Sequence, residues 1–161
     1  MEVVKYRTEL DENRHNVLVM EESAQYGTAP LITEKFNSPD VIYEMMCRCF
    51  RLDKMAEEYV YMIGLDCKEH MLGVFEISHG TVNVSAVCPR EVFIRALLCG
   101  AVGIVLVHNH PSGECDPSRM DAEITKRIKE SGEMIGIKLL DHIIMGEGYF
   151  SFQENRMIIN N

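Results

Sequence analysis

The sequence lacks several features that would assign it to common classes of protein. No apolar run approaches the length needed to span a bilayer, and the first residues lack the apolar core of a signal peptide. There is no excess of positive charge, because 16 basic residues stand against 25 acidic ones and the formal net charge is −9. A surface of this sign is not built to neutralise many phosphates. We therefore expect a cytoplasmic protein with no membrane partner and only weak support for a DNA partner.

The sequence also lacks any Cys-x-x-Cys spacing, which argues against a zinc ribbon and against the zinc deaminases. No dense cysteine framework or secretion signal accompanies the cysteines, so we expect free thiols and no disulfides. The six cysteines are Cys47, Cys49, Cys67, Cys88, Cys99 and Cys115.

With 161 residues, 47% of them hydrophobic, the chain is long enough for one globular domain with some decoration. Residues 1–37 are polar and uneven, with one strand-like run over 16–20, and are interpreted as an N-terminal arm. Residues 38–161 are interpreted as the domain itself. No internal repeat or low-complexity segment occurs.

Hydrophobic periodicity predicts alternating strands and helices after the arm. Helices are expected to begin near Ser38-Pro39, Pro89 and Asp116-Pro117, where a capping residue or a proline suits the first turn. In the last of these helices, Ile124, Ile128 and Ile135 are expected to face the sheet. Strands are expected over 59–66, 71–78, 102–108, 137–145 and 149–152, with 79–85 extending the second or beginning another. The predicted fold class is α/β (α+β), a mixed β-sheet flanked by helices.

Two histidines, His108 and His110, end an apolar strand-like run and project from the same face because side chains alternate along a strand. Asp121 follows across a Pro/Ser/Gly turn, at the start of a helix. Two imidazoles, a carboxylate and an open fourth position are typical of a catalytic zinc site. Two alternatives stay open: Ser118-x-x-Asp121 also fits a helix capping box, and Cys115 as a fourth ligand would close the site.

These residues resemble a known family. The pattern His-x-His-x7-Ser-x2-Asp, from His108 to Asp121, is similar to the core of the JAMM zinc metalloproteases of the MPN (JAB) superfamily. The segments that are similar to its RadC branch, historically called DNA-repair proteins, are 106–113, 117–119, 139–144, and Thr81-Val82-Asn83 with 89–93. The resemblance covers residues 38–154 and implies an MPN/JAB-like fold, a cytidine deaminase-like arrangement of three layers.

The resemblance also implies roles for individual residues. His108, His110 and Asp121 would bind zinc (Zn2+) and leave the fourth position to water. The hydroxyl of Ser118 would help to stabilise the tetrahedral oxyanion. The implied reaction is hydrolysis of an amide or isopeptide bond in a protein or peptide substrate.

The superfamily uses an upstream glutamate as general base, near the start of an early strand. Glu58, directly before the run 59–66, matches that position best; Glu57 is the fallback, and Glu91 fits less well because it lies inside a predicted helix. His142 is expected to be structural, with support of the zinc site as an alternative.

Two other functions stay open, a DNA-repair accessory of the RadC type that acts by binding and a non-catalytic MPN scaffold. Longer members of the branch carry an N-terminal helix-hairpin-helix region, and residues 1–37 show no glycine hairpin between two helices. The acidic balance and this difference both weaken the DNA role. The sequence leaves the substrate and the oligomeric state open.

Overall fold

The computed structural model describes residues 1–26, 38–80 and 87–158 of the chain. In these ranges, seven strands and three α-helices follow one another. The strands are β1 (Glu2–Leu10), β2 (Asn16–Gln25), β3 (Tyr59–Leu65), β4 (Met71–His79), β5 (Gly103–Asn109), β6 (Lys138–Met145) and β7 (Tyr149–Ser151). The helices are α1 (Pro39–Phe50), α2 (Pro89–Leu98) and α3 (Arg119–Ile135), and a short 3-10 helix covers Leu52–Lys54.

The strands form one mixed sheet in the order β2-β1-β4-β3-β5-β6-β7. The central strand β3 pairs antiparallel with β4 and β5, whereas β5 and β6 run parallel. Parallel neighbours need a crossover connection, and α3 provides it. The crossover leaves the carboxyl end of β5, so the first turn of α3 returns close to the residues that end this strand.

Helices cover both faces of the sheet. One apolar cluster joins the sheet to α1, through buried side chains such as Ile42, Met45 and Met46. The other joins the opposite face to α2 and α3, through side chains such as Phe93 and Ile128. The mixed sheet between two helical layers confirms the predicted α/β class and is consistent with a JAB/MPN-like fold.

The described part of the N-terminal region is a β-hairpin. A single strand was expected over 16–20, but β1 pairs with β2 along its whole length and joins the sheet through a short parallel contact with β4. Lys5 is one of the charged residues that make β1 look polar in the sequence. In the fold it is only 8% exposed, and its ammonium lies 3.2–3.5 Å from the carboxylates of Glu21, Glu22 and Glu76. Residues 27–37 of the expected arm lie outside the described ranges.

The last residue of helix α3, Ile135, differs from its predicted position. The expectation that Ile135 faces the sheet is wrong, because its side chain is 48% exposed. Gly136 takes a left-handed conformation at φ 77° and ends the helix, and the next residue, Ile137, is buried in its place. The predicted packing of Ile124 and Ile128 is confirmed.

The prediction for residues 79–85 can be followed only to His79, which ends β4. Residues 81–86, including the Thr81-Val82-Asn83 motif, lie outside the described ranges. Across the ranges that are described, the chain has no helix with the length and apolarity required to cross a membrane.

Candidate metal centre

His108 and His110 lie where β5 ends. All residues of β5 are buried because the strand has paired neighbours on both edges and helices on both faces. His108 is fully buried in the strand, and His110 follows it, with its backbone N–H bonded to the carbonyl of Met145 at 2.8 Å. Two-residue alternation brings both imidazoles to the side where α3 begins.

Asp121 lies in the first turn of α3, and the predicted capping box is present. The Ser118 hydroxyl accepts the Asp121 amide N–H at 3.2 Å, and Asp121 Oδ2 accepts the Ser118 N–H at 2.7 Å. The capping and ligand interpretations are compatible, because the cap occupies Oδ2 alone. The other oxygen, Oδ1, is buried and receives no hydrogen bond from the described residues.

The potential ligand atoms of His108, His110 and Asp121 lie within 4.8 Å of one another. The two Nε2 atoms face each other at 3.1 Å, and His108 Nε2 lies 3.3 Å from Asp121 Oδ1. His110 Nε2 lies 3.6 Å from Oδ2 of the same carboxylate. Two nitrogen lone pairs facing each other beside a carboxylate oxygen are unfavourable unless a proton or a metal cation lies between them. This group could hold a metal ion.

Electrostatics around the cluster favour a carboxylate and at least one neutral ring. Burial by itself raises the pKa of Asp121, but its interactions with His108, His110 and Ser118 outweigh burial, so the net pKa of this carboxyl is well below its usual range. Burial lowers the pKa of His108. The hydrogen bond with Asp121 raises the pKa of the less buried His110. A divalent cation would take the place of the proton that His110 attracts.

The far side of each imidazole is also engaged. His110 Nδ1 lies 2.7 Å from the carbonyl oxygen of Glu114, and His108 Nδ1 lies 2.8 Å from His142 Nε2. A carbonyl can only accept, so His110 Nδ1 carries a proton, and Nε2 is the atom at which a second proton or a metal ion would bind. Contacts of this kind orient histidine ligands in metal sites.

Glu58 lies directly before β3, beside the cluster. Its carboxyl interacts electrostatically with both His110 and Asp121, and burial raises its pKa. Its Oε1 atom is buried and has no hydrogen-bond partner within the described part of the chain. By contrast, Glu57 is exposed, and Glu91 is paired with Arg90 and Arg95 on α2.

Asn109 is a residue whose role sequence reasoning missed. It points to the opposite face from the two histidines, where its Oδ1 accepts the Tyr59 N–H at 2.8 Å. Its amide donates to the carbonyl of Glu57 at 3.0 Å and to that of Met55 at 3.4 Å. Asn109 therefore ties the end of β5 to the backbone on both sides of Glu58.

A cleft of about 340 Å³ opens beside His110. Its lining mixes an aromatic side chain, charged side chains and the turn after His110, and includes Tyr43, Asp53, Lys54, Pro111 and Glu147. Cys115 is half-buried and is not a member of the metal-binding group found among the described residues.

Comparison with known proteins agrees with this architecture. Residues 36–157 match the family described as the RadC-like JAB domain. A UPF0758 protein of Geotalea uraniireducens is 45% identical over 126 residues, an alignment that covers 78% of this chain and 54% of the relative. A UPF0758 protein of Geobacter sulfurreducens is 42% identical over 121 residues, covering 75% of this chain and 52% of the relative.

A UPF0758 protein of Rubrobacter xylanophilus is 45% identical over 108 residues, with 67% and 48% covered. The chain thus spans about half the length of the curated relatives it matches. The match extends across the central sheet and the metal-binding group, from before α1 to after β7. On its sequence and its fold, the chain belongs to the RadC-like JAB domain family.

Proposed function

We propose that this domain is a zinc-dependent metallohydrolase that cleaves amide or isopeptide bonds in a protein or peptide substrate. The observation that carries the proposal is the buried convergence of His108, His110 and Asp121 beside the unsatisfied carboxyl of Glu58. Two histidines and one carboxylate are a typical donor set for catalytic zinc, which keeps a further position for water or substrate. Structural zinc sites are more often closed by four protein ligands.

His108, His110 and Asp121 would hold the ion. When bound, zinc supplies Lewis acidity and brings the pKa of water towards neutrality. The Glu114 carbonyl orients His110 so that Nε2 faces Asp121, and Asp121 Oδ1 is buried without a hydrogen-bond donor among the described residues.

Glu58 would act as the general base. As a water oxygen bonds to the carbonyl carbon, Glu58 takes a proton from the water, and it returns that proton to the leaving nitrogen as the C–N bond breaks. The pKa of Glu58 is raised by burial, which suits a group that must both accept and return a proton near neutral pH. The Ser118 hydroxyl oxygen accepts the Asp121 N–H, so its hydrogen is available to stabilise the developing oxyanion.

Zinc analysis combined with variants at Glu58 tests the proposal. Protein purified without chelators should contain one zinc per chain, and His108→Ala or Asp121→Ala should remove it. Glu58→Gln should keep the zinc but lose about 100-fold or more in turnover of fluorogenic peptides or isopeptide-linked conjugates, because the proton acceptor is gone. The neighbouring Glu57→Gln is the matched control and should retain turnover, because Glu57 is exposed.

Zinc-free protein, or equal turnover by wild type and Glu58→Gln, would contradict the proposal. The alternative of a DNA-binding accessory predicts salt-sensitive DNA binding that survives Asp121→Ala. A non-catalytic scaffold predicts bound zinc without turnover of any substrate in a broad panel.

A further inference from the structure

We propose that His142 and Thr125 are positioning residues that hold the proton of the His108 imidazole on Nδ1, so that Nε2 stays free as a metal ligand. The inference rests on the proposed metal site. The proton positions, however, are a property of the metal-free protein and can be measured without zinc or substrate.

A continuous chain of hydrogen bonds carries the proposal. His108 Nδ1 lies 2.8 Å from His142 Nε2, and His142 Nδ1 lies 2.6 Å from Thr125 Oγ1. The Thr125 hydroxyl lies 2.5 Å from the backbone carbonyl oxygen of Asp121, one turn earlier in α3. All four groups are buried, and His142 is fully buried against Phe152, whose ring stacks on it at 5.1 Å between centroids. The chain thus joins two ligand residues behind the metal position.

The Asp121 carbonyl oxygen at the end of the chain sets the donor and the acceptor of every hydrogen bond in it. A carbonyl oxygen can only accept, so the Thr125 hydroxyl donates its single hydrogen to the backbone carbonyl of Asp121. The hydroxyl oxygen therefore accepts from His142 Nδ1–H. A neutral His142 then has only an acceptor at Nε2, so His108 must donate from Nδ1. His108 Nε2 is left with its lone pair pointing at Asp121 and His110.

The strand register is what brings His142 to this position. Leu140 has no partner in β5, and this bulge sets Asp141 opposite Val105 and His142 opposite Leu106. Without the extra residue, His142 would lie opposite Val107 and point to the α1 face, because a slip of one residue reverses every side chain. Asp141 stabilises the bulge by accepting the Gln153 N–H at 2.9 Å and the Ser151 hydroxyl at 2.6 Å.

Imidazole nitrogen NMR of the zinc-free protein tests the proton order directly. Long-range proton–nitrogen correlations should show His108 and His142 as neutral rings protonated on Nδ1, the opposite of the tautomer that free neutral histidine prefers. Detection of His108 with its proton on Nε2 in the folded wild-type protein would overturn the proposal. Because no metal is present, this result is independent of whether the protein binds zinc or hydrolyses anything.

Thr125→Val and Thr125→Ser form a matched pair. Valine has the shape of threonine without the hydroxyl, so His142 Nδ1 loses its acceptor and both rings should move their protons to Nε2. Zinc affinity, measured by competition with a chelating indicator, should fall by about 10-fold to 100-fold, as is usual when a partner of a histidine ligand is lost. Serine keeps the hydroxyl and should keep both the tautomers and the affinity of wild type.

Circular dichroism and thermal unfolding establish that both variants fold. If folded Thr125→Val retains the wild-type tautomers, or binds zinc as tightly as Thr125→Ser, the proposal is wrong. If the tautomers shift as predicted but neither wild type nor Thr125→Ser binds zinc, the proton order stands and the proposed metalloenzyme function fails.

Discussion

At the end of β5, three consecutive side chains serve two parts of the site. His108 and His110 face α3 and contribute to the metal-binding group, whereas Asn109 faces the other way and holds the backbone around Glu58. Strand alternation alone produces this division. Because Asn109 lies between the two histidines in sequence and bonds the backbone on both sides of Glu58, the position of the candidate base is linked to the positions of the candidate ligands.

Asn109→Asp should disturb the backbone around Glu58 without removing a potential metal ligand. The substitution keeps an acceptor for the Tyr59 N–H but replaces the amide donor with a carboxylate oxygen that faces the carbonyls of Met55 and Glu57. We expect a loss of about 1–3 kcal/mol in the free energy of unfolding, because a buried donor is lost and a charge is buried. Zinc content should be unchanged and turnover reduced. Urea denaturation and zinc analysis measure these effects.

The control for this prediction is Asn155→Asp. Asn155 is exposed and makes one side-chain hydrogen bond, to the carbonyl of Ser151, so its substitution should change stability by less than about 0.5 kcal/mol. Equal effects of the two substitutions, or loss of zinc from a folded Asn109→Asp protein, would show that Asn109 does not act as described.

Residue identity predicted the potential ligands but not their supporting groups. His108, His110 and Asp121 are close in sequence and connected by one turn. Side-chain alternation along the strand and the predicted start of a helix were therefore enough to predict that they lie close together. His142 lies 34 residues from His108, and Asn109 lies 50 residues from Tyr59. These contacts depend on the register of strands that are distant in sequence, which local patterns do not encode.

On the scale of secondary-structure elements, the turn after His110 is fixed by its contact with the turn between β6 and β7. Gly113 N–H donates to His110 O at 3.0 Å, and Glu147 N–H donates to Gly113 O at 2.8 Å. A Cβ on Gly146 would lie only 2.2 Å from Gly113 O. Glycine at this position therefore allows the two turns to approach closely enough to orient His110.

Gly146→Ala should push the two turns apart. We expect stability to fall by about 1–3 kcal/mol, as for other overpacked sites. We also expect weaker zinc binding, because the Glu114 carbonyl that orients His110 moves with the turn. Gly148→Ala, in the same turn, has no heavy atom within 4 Å of the added Cβ and should behave like wild type. Thermal unfolding and chelator competition compare the two, and similar behaviour of both variants would contradict this account of the turn.

Elements with a clear apolar period were predicted well, and those whose burial depends on a distant partner were not. The helices α1, α2 and α3 and the strands β3 to β7 follow local periodicity and capping signals. Strand β1 was missed because Lys5 and its other charged residues look solvated in the sequence. In the fold, Lys5 is neutralised by carboxylates from β2 and β4, which are contacts that only the assembled sheet provides.

On the scale of the whole molecule, the sheet brings every component of the site to one end. Three segments meet there: the carboxyl end of β5, the first turn of α3 and the residues before β3. Strand β6 adds His142, which contacts His108 on the side away from the other ligands. The N-terminal hairpin extends the opposite side of the sheet, beyond β4. The chain spans about half the length of the curated relatives it matches.

A crystal structure of the zinc-incubated protein, with diffraction data collected on both sides of the zinc absorption edge, tests the metal site most directly. We expect one anomalous peak per chain, bounded by His108 Nε2, His110 Nε2 and an Asp121 carboxylate oxygen, with Glu58 facing it. If there is no peak at this position, or if other residues bind the ion, these three residues do not form the metal site.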